Sequence, residues 1–168
     1  MSGIYIHIPF CSKACHYCDF HFSTALKMKE ELIDSMVKEI HLRKNDFQKK
    51  FNSLYFGGGT PSLLTEKELE KILNALSNYV SIESMSEITI EINPEDVEIQ
   101  KLKTYKKLGI NRLSIGVQSL DDKFLKWMNR GHSKSQIDKS INLINEMNFD
   151  NYSLDFIYGL PTHLKRNY

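Results

Sequence analysis

Three cysteines lie within eight residues of one another near the start of the chain, at Cys11, Cys15 and Cys18. They follow a short apolar stretch, GIYIHI, and form the pattern C-x3-C-x2-C. Three thiolates on one loop can hold three corners of a [4Fe–4S] cubane, which usually takes four cysteine ligands. The sequence contains no fourth cysteine, so one iron would lack a protein ligand. By the logic that separates catalytic from structural zinc sites, such an open metal position is where a substrate or cofactor binds.

Other interpretations of the thiols stay open at this point. A Cys3His zinc site could take His16 or His21 as its fourth ligand, although zinc sites more often combine two short Cys/His turns from separate segments. The thiols could also be buried side chains that bind nothing. A disulfide framework is disfavoured, because it would leave one cysteine unpaired and close only a very short loop. In a reducing compartment, clustered thiols indicate metal ligands or redox groups first.

Strand-like and helix-like segments alternate along the chain. Apolar or period-two stretches predict strands at residues 3–8, 53–56, 87–92, 111–117 and 152–158. Helical spacing predicts helices at residues 28–44, 65–79, 96–108, 121–128 and 133–147. Thr65 and Glu68, three residues apart, predict a capping box at the start of the second helix. The alternation and the short connections predict an α/β fold with parallel strands and right-handed crossovers. We expect a partial or full (β/α) barrel, although the pattern alone also permits a doubly wound sheet.

Glycine and polar residues follow several of the predicted strands. The turn at residues 57–59 is three glycines, which allow backbone groups to approach a ligand closely, although such a turn alone is more often only tight. Glu91, Gln118 and Asp155 lie at or near the ends of three further strands. The alternation of residues 87–92 predicts that Glu91 lies on the opposite face of its strand from the three isoleucines, where alone it could simply face solvent. Because the carboxyl ends of parallel strands carry the ligand in α/β folds, we predict that these three side chains converge there.

Two residues in the sequence NRGH are less informative alone. Arg130 is typical of a surface ion pair or of a helix end, and His132 of a solvated turn. Gly116 lies inside a predicted strand, which suggests close approach of another backbone or of a ligand.

Composition excludes few classes of function. The chain is 41% hydrophobic and 26% charged, which is ordinary for a globular protein. A net charge of +1 gives no support for a nucleic-acid partner or an anionic membrane. No apolar run approaches the roughly 20 residues that span a bilayer, and the start of the chain lacks a signal-peptide pattern. We therefore expect a cytoplasmic protein, with no membrane association evident.

The cysteine pattern after the first strand resembles the signature of the radical S-adenosylmethionine (SAM) superfamily. The resemblance implies that SAM chelates the open iron through its amino and carboxylate groups. One electron from the cluster then breaks the sulfonium C–S bond and yields a 5′-deoxyadenosyl radical. Tyr17 matches a position that contacts SAM in this family, and the glycine turn resembles the motif that binds the methionine amino group.

Seven motifs in order, from Tyr5 to Pro161, resemble one branch of the superfamily: HIPFC, CHYCDF, FGGGTPS, EINPE, NRLSIGVQS, NRGH and SLDFIYGLP. The branch contains oxygen-independent coproporphyrinogen III oxidase and its relative HemW, a haem chaperone. The resemblance implies that Tyr5, Gly58, Glu91 and the cluster contact a first SAM. It also matches six residues to positions that bind a second SAM in the oxidase, namely Tyr17, Gly59, Thr60, Gln118, Arg130 and Asp155.

Two features favour the chaperone side of this branch. The oxidase has a further cysteine where this sequence has Phe20, and it has a long segment before its cysteines where this sequence has ten residues. The resemblance therefore implies a protein that binds haem and delivers it to haemoproteins. The alternatives are an oxidase that converts the propionates of coproporphyrinogen to vinyl groups, and a non-catalytic metal-binding fragment. Whether the chain is an enzyme stays open, and no catalytic residue is assigned.

Five strands are few for a barrel. We therefore expect residues 1–168 to be an incomplete radical SAM core domain, a partial TIM-like barrel truncated at its C-terminus, without later barrel strands and a C-terminal domain. The haem-binding stretch of HemW-like proteins lies further downstream. We expect these residues to bind a cluster and SAM without delivering haem.

Overall fold

The computed structural model describes residues 2–160, so Pro161 of the last motif lies outside the described residues. Five parallel strands form one sheet in the order in which they occur along the chain. They are β1 (Gly3–Ile8), β2 (Ser53–Gly58), β3 (Glu87–Ile92), β4 (Arg112–Gln118) and β5 (Tyr152–Phe156). A doubly wound sheet reverses its strand order at a switch point. This sheet has no reversal, so the doubly wound alternative is excluded for the described residues.

Five α-helices connect or follow the strands. They are α1 (Lys29–Leu42), α2 (Glu66–Ser77), α3 (Ile99–Lys107), α4 (Asp122–Trp127) and α5 (Lys134–Glu146). The predicted capping box of α2 is confirmed, because the Thr65 hydroxyl accepts from the Glu68 amide and the Glu68 carboxylate accepts from the Thr65 amide. None of the helices in residues 2–160 combines the length and the apolar character that a membrane span requires.

Helix α3 begins three residues later than the sequence predicts. Pro94–Asp96 forms a separate 3-10 turn, and the extended Glu98 is the residue that precedes the first turn of α3. The Asp96 carboxylate accepts a hydrogen bond of 2.6 Å from the Ser62 hydroxyl. Asp96 therefore ties this turn to the segment after β2 instead of capping the helix.

The two faces of the sheet differ in chemistry. On the apolar face, strand side chains join helix side chains in one buried core, and the strand residues are Ile6, Ile8, Leu54, Phe56, Ile88, Ile90, Ile92, Leu113, Ile115 and Val117. The polar face carries the alternate residues, which are Tyr5, His7, Tyr55, Thr89, Glu91, Ser114, Ser153 and Asp155. The prediction that Glu91 lies opposite the β3 isoleucines is confirmed, because those isoleucines are buried and Glu91 hydrogen-bonds polar-face groups. The polar face therefore remains for a ligand.

Candidate iron–sulfur and cofactor site

A cavity of about 520 Å³ lies at the carboxyl ends of the strands. It brings together eleven of the twelve residues predicted for the site: Cys11, Cys15, Tyr17, Cys18, Gly58, Gly59, Thr60, Glu91, Gln118, Arg130 and Asp155. The predicted convergence of the polar strand ends is therefore seen in the geometry. The twelfth residue, Tyr5, lies beside the cavity and not in its lining. Its ring is about half exposed, stacks on Tyr55 at 5.9 Å and shares a hydrogen bond with His7.

The cysteine loop is held on both sides by backbone hydrogen bonds. At its start, the Cys11 amide donates to the Ser23 carbonyl at 3.0 Å. Further along, the His16 amide donates to the Met128 carbonyl at 3.1 Å, and the Asn129 side chain donates to the Ala14 carbonyl at 2.8 Å. The loop is thus docked onto the C-terminal end of α4, and all three thiols are partly exposed and unpaired with one another.

The geometry does not support the zinc hypothesis. The Nδ1 atom of His16 lies 2.7 Å from the Trp127 carbonyl oxygen, so this ring is held against the end of α4. Across residues 2–160, no three His, Cys, Asp or Glu side chains come close enough to hold a single metal ion. A zinc ion needs its ligands around one point, whereas a cubane binds each cysteine at a different corner.

The glycine turn lies directly against the cysteine loop. Gly59 and Thr60 extend the pairing of β1 with β2, because the Gly59 amide donates to Ile8 and the Thr60 amide donates to Phe10. A Cβ atom at Gly59 would lie 2.7 Å from the Phe10 carbonyl oxygen and 3.0 Å from the Cys11 sulfur. Only a residue without a side chain therefore fits this approach, and Gly58 also requires its positive φ of 118°.

Glu91 carries a carboxylate to the centre of the polar face. It accepts hydrogen bonds from the Tyr55 hydroxyl at 2.9 Å and from the Gly58 amide at 3.1 Å. Burial raises the pKa of Glu91 above its usual value, and the nearby Asp155 carboxylate adds to this effect. The two hydrogen bonds act in the opposite direction. Burial of the Tyr55 hydroxyl, together with the nearby Glu91 charge, raises the pKa of Tyr55 to about 12.

Arg130 connects the cysteine loop to the sheet, which corrects its interpretation as a surface residue. Its Nη1 atom lies 3.5 Å from the Cys15 sulfur and 3.2 Å from the Tyr17 hydroxyl. Its Nη2 atom donates to the Asn93 side-chain oxygen at 2.7 Å and to the Gly116 carbonyl at 2.8 Å. Burial raises the pKa of Tyr17 to about 12, although the Arg130 guanidinium opposes that rise. The guanidinium therefore presents a positive charge within the cavity.

Gln118 and Asp155 complete the wall formed by β4 and β5. Asp155 accepts a hydrogen bond of 2.9 Å from the Ser114 hydroxyl. Gln118 has a φ of 66°, and the pairing of β4 with β5 shifts register between Ile115 and Gln118. A left-handed conformation is uncommon for a residue other than glycine, asparagine or aspartate. Such strain is concentrated at binding sites, where the surrounding structure maintains it.

Sequence reasoning missed several residues of the cavity. Asn93 and Glu95 belong to the quoted motif EINPE, but only Glu91 was selected from it. Both follow the end of a parallel strand, and that rule could have identified them. Ser114 also lies on the polar face, but it lies inside β4 rather than at its end, so the same rule does not identify it. Outside the cavity lining, His132 is buried and hydrogen-bonded rather than solvated, which no local pattern indicates.

The residues present fit a cluster and an anionic or zwitterionic cofactor. Three thiols and a glycine turn without side chains adjoin the same cavity. The Nε atom of Arg130 is buried without a hydrogen-bond partner among the described residues. An unsatisfied buried donor of this kind calls for an acceptor, and a carboxylate or a cluster sulfide meets that need.

Comparisons of sequence agree with this chemistry. A sequence profile of the Radical SAM superfamily matches residues 5–166. The chain is 37% identical to the heme chaperone HemW of Bacillus subtilis (strain 168) over 96% of its own length and 43% of that protein. It is 42% identical to the heme chaperone HemW of Synechocystis sp., over 95% of its own length and 40% of that protein. The chain thus spans about two fifths of these relatives.

Comparison of structures gives the same result. The fold matches coproporphyrinogen III oxidase (HemN) from Escherichia coli, described as a radical SAM enzyme, with a TM-score of 0.85 and 31% identity. The match covers 95% of this chain and 37% of HemN. The five strands and their helices are therefore part of a radical SAM, TIM-like barrel. Since the profile covers nearly all of the sequence, the chain belongs to the radical SAM superfamily, and membership implies a [4Fe–4S] cluster and SAM as cofactors.

Proposed function

We propose that the chain is the N-terminal radical SAM core, residues 1–168, of a HemW-type haem chaperone. One observation carries the proposal: a single cavity joins the three-thiol loop, the glycine turn and the polar strand ends. Relatives named heme chaperone HemW match nearly the whole chain and support the choice of branch. The chaperone would act in the cytoplasm.

The proposed cluster ligands are Cys11, Cys15 and Cys18. Burial raises the pKa of the Cys11 thiol, and the neighbouring thiolates of Cys15 and Cys18 raise it further, while Thr60 and Arg130 lower it. A thiolate is the form that binds metal. Cluster assembly on this loop therefore requires the proton of Cys11 to be released as the metal binds.

The proposed SAM contacts divide into two groups. Tyr5, Gly58 and Glu91 would contact a first SAM together with the open iron. Glu91 lines the cavity, which supports a role in accepting a hydrogen bond from an ammonium or a ribose hydroxyl. The residues proposed to contact a second SAM are Tyr17, Gly59, Thr60, Gln118, Arg130 and Asp155. When bound, a reduced cluster would supply the electron that breaks the sulfonium C–S bond of SAM.

Haem is proposed as the cargo of the whole protein, and haemoproteins as its recipients. The chain spans about two fifths of the HemW relatives, so haem binding and delivery are proposed for a protein of their full length. We propose that residues 1–168 alone bind the cluster and SAM but transfer no haem. Retention of haem transfer by these residues would contradict this division.

The second candidate is an oxygen-independent coproporphyrinogen III oxidase. The structural match to HemN supports it. Against it stands Phe20, which occupies the place of the further cysteine and has 76% of its surface exposed at the rim of the cavity. This difference at residue 20, together with the HemW relatives that match nearly the whole chain, makes the chaperone the preferred proposal.

Anaerobic reconstitution with iron and sulfide tests the cluster. The expected product is a brown protein with about four irons per chain. A colourless protein that holds one zinc would contradict the proposal. Addition of dithionite and SAM should then release 5′-deoxyadenosine.

Two further assays separate the functions. Tight uptake of haem by the full-length protein, followed by its transfer to an apo-haemoprotein, supports the chaperone. Conversion of coproporphyrinogen by the same preparation would establish the oxidase instead. A Cys15→Ser variant is the matched control, because it removes one cluster ligand and changes a single atom.

A further inference from the structure

His132 and Glu95 link the ends of two neighbouring strands. The backbone pairing of β3 with β4 ends at Ile92 and Ile115. Beyond this point, His132 spans the gap: its Nδ1 atom lies 2.7 Å from a carboxylate oxygen of Glu95, and its Nε2 atom lies 3.1 Å from the Val117 carbonyl. The His132 side chain has no exposed surface. This side chain therefore replaces the missing backbone contacts between the strands.

Arg130 also bridges the ends of β3 and β4, and unlike His132 it lines the cavity. Its Nη2 atom binds both the Asn93 side chain, after β3, and the Gly116 carbonyl, in β4. Only Gly131 separates the two bridging residues in sequence. Glycine restricts its backbone less than any other residue, so the backbone alone does not fix Arg130. The two hydrogen bonds of His132 supply that constraint.

Both ring nitrogens of His132 are engaged, one by the Glu95 carboxyl group and the other by the Val117 carbonyl. Burial acts to raise the pKa of Glu95, but hydrogen bonding to His132 and the charges of His132 and Arg130 lower it overall. The lowered pKa keeps Glu95 a carboxylate, and its contact of 2.7 Å with the His132 Nδ1 atom is short, as is typical of geometrically specific hydrogen bonds to an ionised group.

We propose that the Glu95–His132 pair is a positioning device that fixes Arg130, and through it the wall of the cavity that faces SAM. Glu95 borders the cavity, whereas His132 lies outside its lining and acts through Gly131 and Arg130. The inference rests on the proposed function only in taking SAM as the ligand. Outer residues that orient the residues in contact with a metal typically change its affinity or activity 10- to 100-fold, and an effect of this order is expected here.

The first test is His132→Gln in reconstituted protein. The variant replaces the ring that bridges Glu95 and the Val117 carbonyl with an amide of different shape, so the link between the two strand ends is broken. We expect about four irons per chain but SAM affinity weakened by roughly tenfold, measured by titrating the SAM-induced change in the EPR spectrum of the reduced cluster. His41→Gln is the matched control, because His41 lies on α1 and, within residues 2–160, its ring hydrogen-bonds Tyr79 and no other side chain.

Two further variants separate positioning from general damage. His132→Gln combined with Glu95→Gln removes the unpaired charge and allows a neutral amide pair, so SAM affinity should recover most of the loss. Gly131→Ala should reproduce the defect, because its Cβ would overlap the Glu95 carboxylate and separate it from His132. Gly131 has no positive φ that would make alanine strained in itself.

The outcomes are distinct. SAM affinity equal to that of the unaltered protein in both His132→Gln and Gly131→Ala overturns the positioning role and leaves the proposed function intact. A loss of thermal stability without loss of SAM affinity in the cluster-loaded fraction also overturns it. Failure of the unaltered protein to bind SAM overturns the proposed function and this inference together.

Discussion

The two faces of one sheet perform different tasks in this protein. On β3, Ile88, Ile90 and Ile92 are at most 3% exposed and pack into the core under the helices, whereas Glu91 projects to the opposite side and binds Tyr55. The interior of most TIM barrels is filled by bulky apolar side chains. Here the corresponding face carries hydroxyls, carboxylates and glycine, so a cavity for a ligand remains.

Because alternate residues of a strand face opposite sides of the sheet, the residues that stabilise the fold differ from those that line the cavity. Apolar burial contributes on the order of 25 cal/mol per Å² of surface removed from water, and the apolar face provides most of that burial. The polar face instead holds partly buried ionisable groups, which cost free energy unless they are paired. Substitutions on the apolar face should therefore mainly lower the free energy of unfolding, whereas those on the polar face should mainly weaken ligand binding. The following predictions test this difference, from the largest effect to the smallest.

The largest expected effect is on cluster content. Cys15→Ser should reduce iron from about four per chain to a small fraction of that value, because two thiolates hold a cubane poorly. Iron and sulfide analysis after reconstitution measures this. Ser12→Ala, on the same loop, should retain its iron. The melting temperature of the cluster-free chain should hardly change in either variant, because neither residue belongs to the apolar core.

The second prediction compares stability across the faces. Ile90→Ala on the apolar face should lower the free energy of unfolding by about 2–5 kcal/mol, because a large buried side chain leaves a cavity. Ser114→Ala on the polar face should lower it by roughly 1 kcal/mol, the typical net value of a hydrogen bond. Urea denaturation of the cluster-free proteins distinguishes the two. Equal losses would contradict the assignment of stability to the apolar face.

The left-handed backbone of Gln118 should cost stability and be retained because it serves ligand binding. Gln118→Gly removes a left-handed strain of about 1–3 kcal/mol, offset by about 0.5–1 kcal/mol for the freer backbone of glycine. We expect a free energy of unfolding that is unchanged or higher by up to about 2.5 kcal/mol, together with weaker SAM binding. Val117→Ala, one residue earlier on the apolar face, should instead destabilise the chain. Clear destabilisation by Gln118→Gly would refute the strain argument.

The smallest effect is a pair of opposite pH dependences. Burial raises the pKa of Glu91, so its contribution to stability is complete below the unfolded pKa and is lost as pH rises through the folded pKa. Glu91→Gln should therefore be more stable than the unaltered chain at neutral pH, and the difference should vanish at acidic pH.

Glu68 provides the comparison of opposite sign. Burial alone would raise its pKa, but the hydrogen bonds from Lys29 and Thr65 lower it overall. Its contribution is present above the unfolded pKa and is lost as pH falls through the folded pKa. Glu68→Gln should therefore be less stable at neutral pH and similar in acid. Thermal melts of both variants between about pH 3 and pH 8, a range that spans the carboxyl pKa values, measure the two slopes.

Much of the fold was predictable from local pattern. The period-two alternation of residues 87–92 identified β3 and the face on which Glu91 lies, and the spacing of Thr65 and Glu68 identified the start of α2. The start of α3 was misplaced, because the sequence does not show that Asp96 pairs with Ser62, 34 residues away. Helix propensity depends on residues that are close in sequence, whereas the contact of Asp96 with Ser62 forms only when folding brings these distant residues together.

The sequence by itself determined the elements, the two faces of each strand and the three thiols on one loop, because these follow from spacing along a short piece of backbone. Only the tertiary structure decided what surrounds those thiols. Arg130 reaches Cys15 across 115 residues, and His132 meets Glu95 across 37. Both were interpreted from sequence as exposed residues. Hydrogen-bond partners that lie far apart in the chain are brought together only by packing of the sheet and helices, and no local periodicity encodes them.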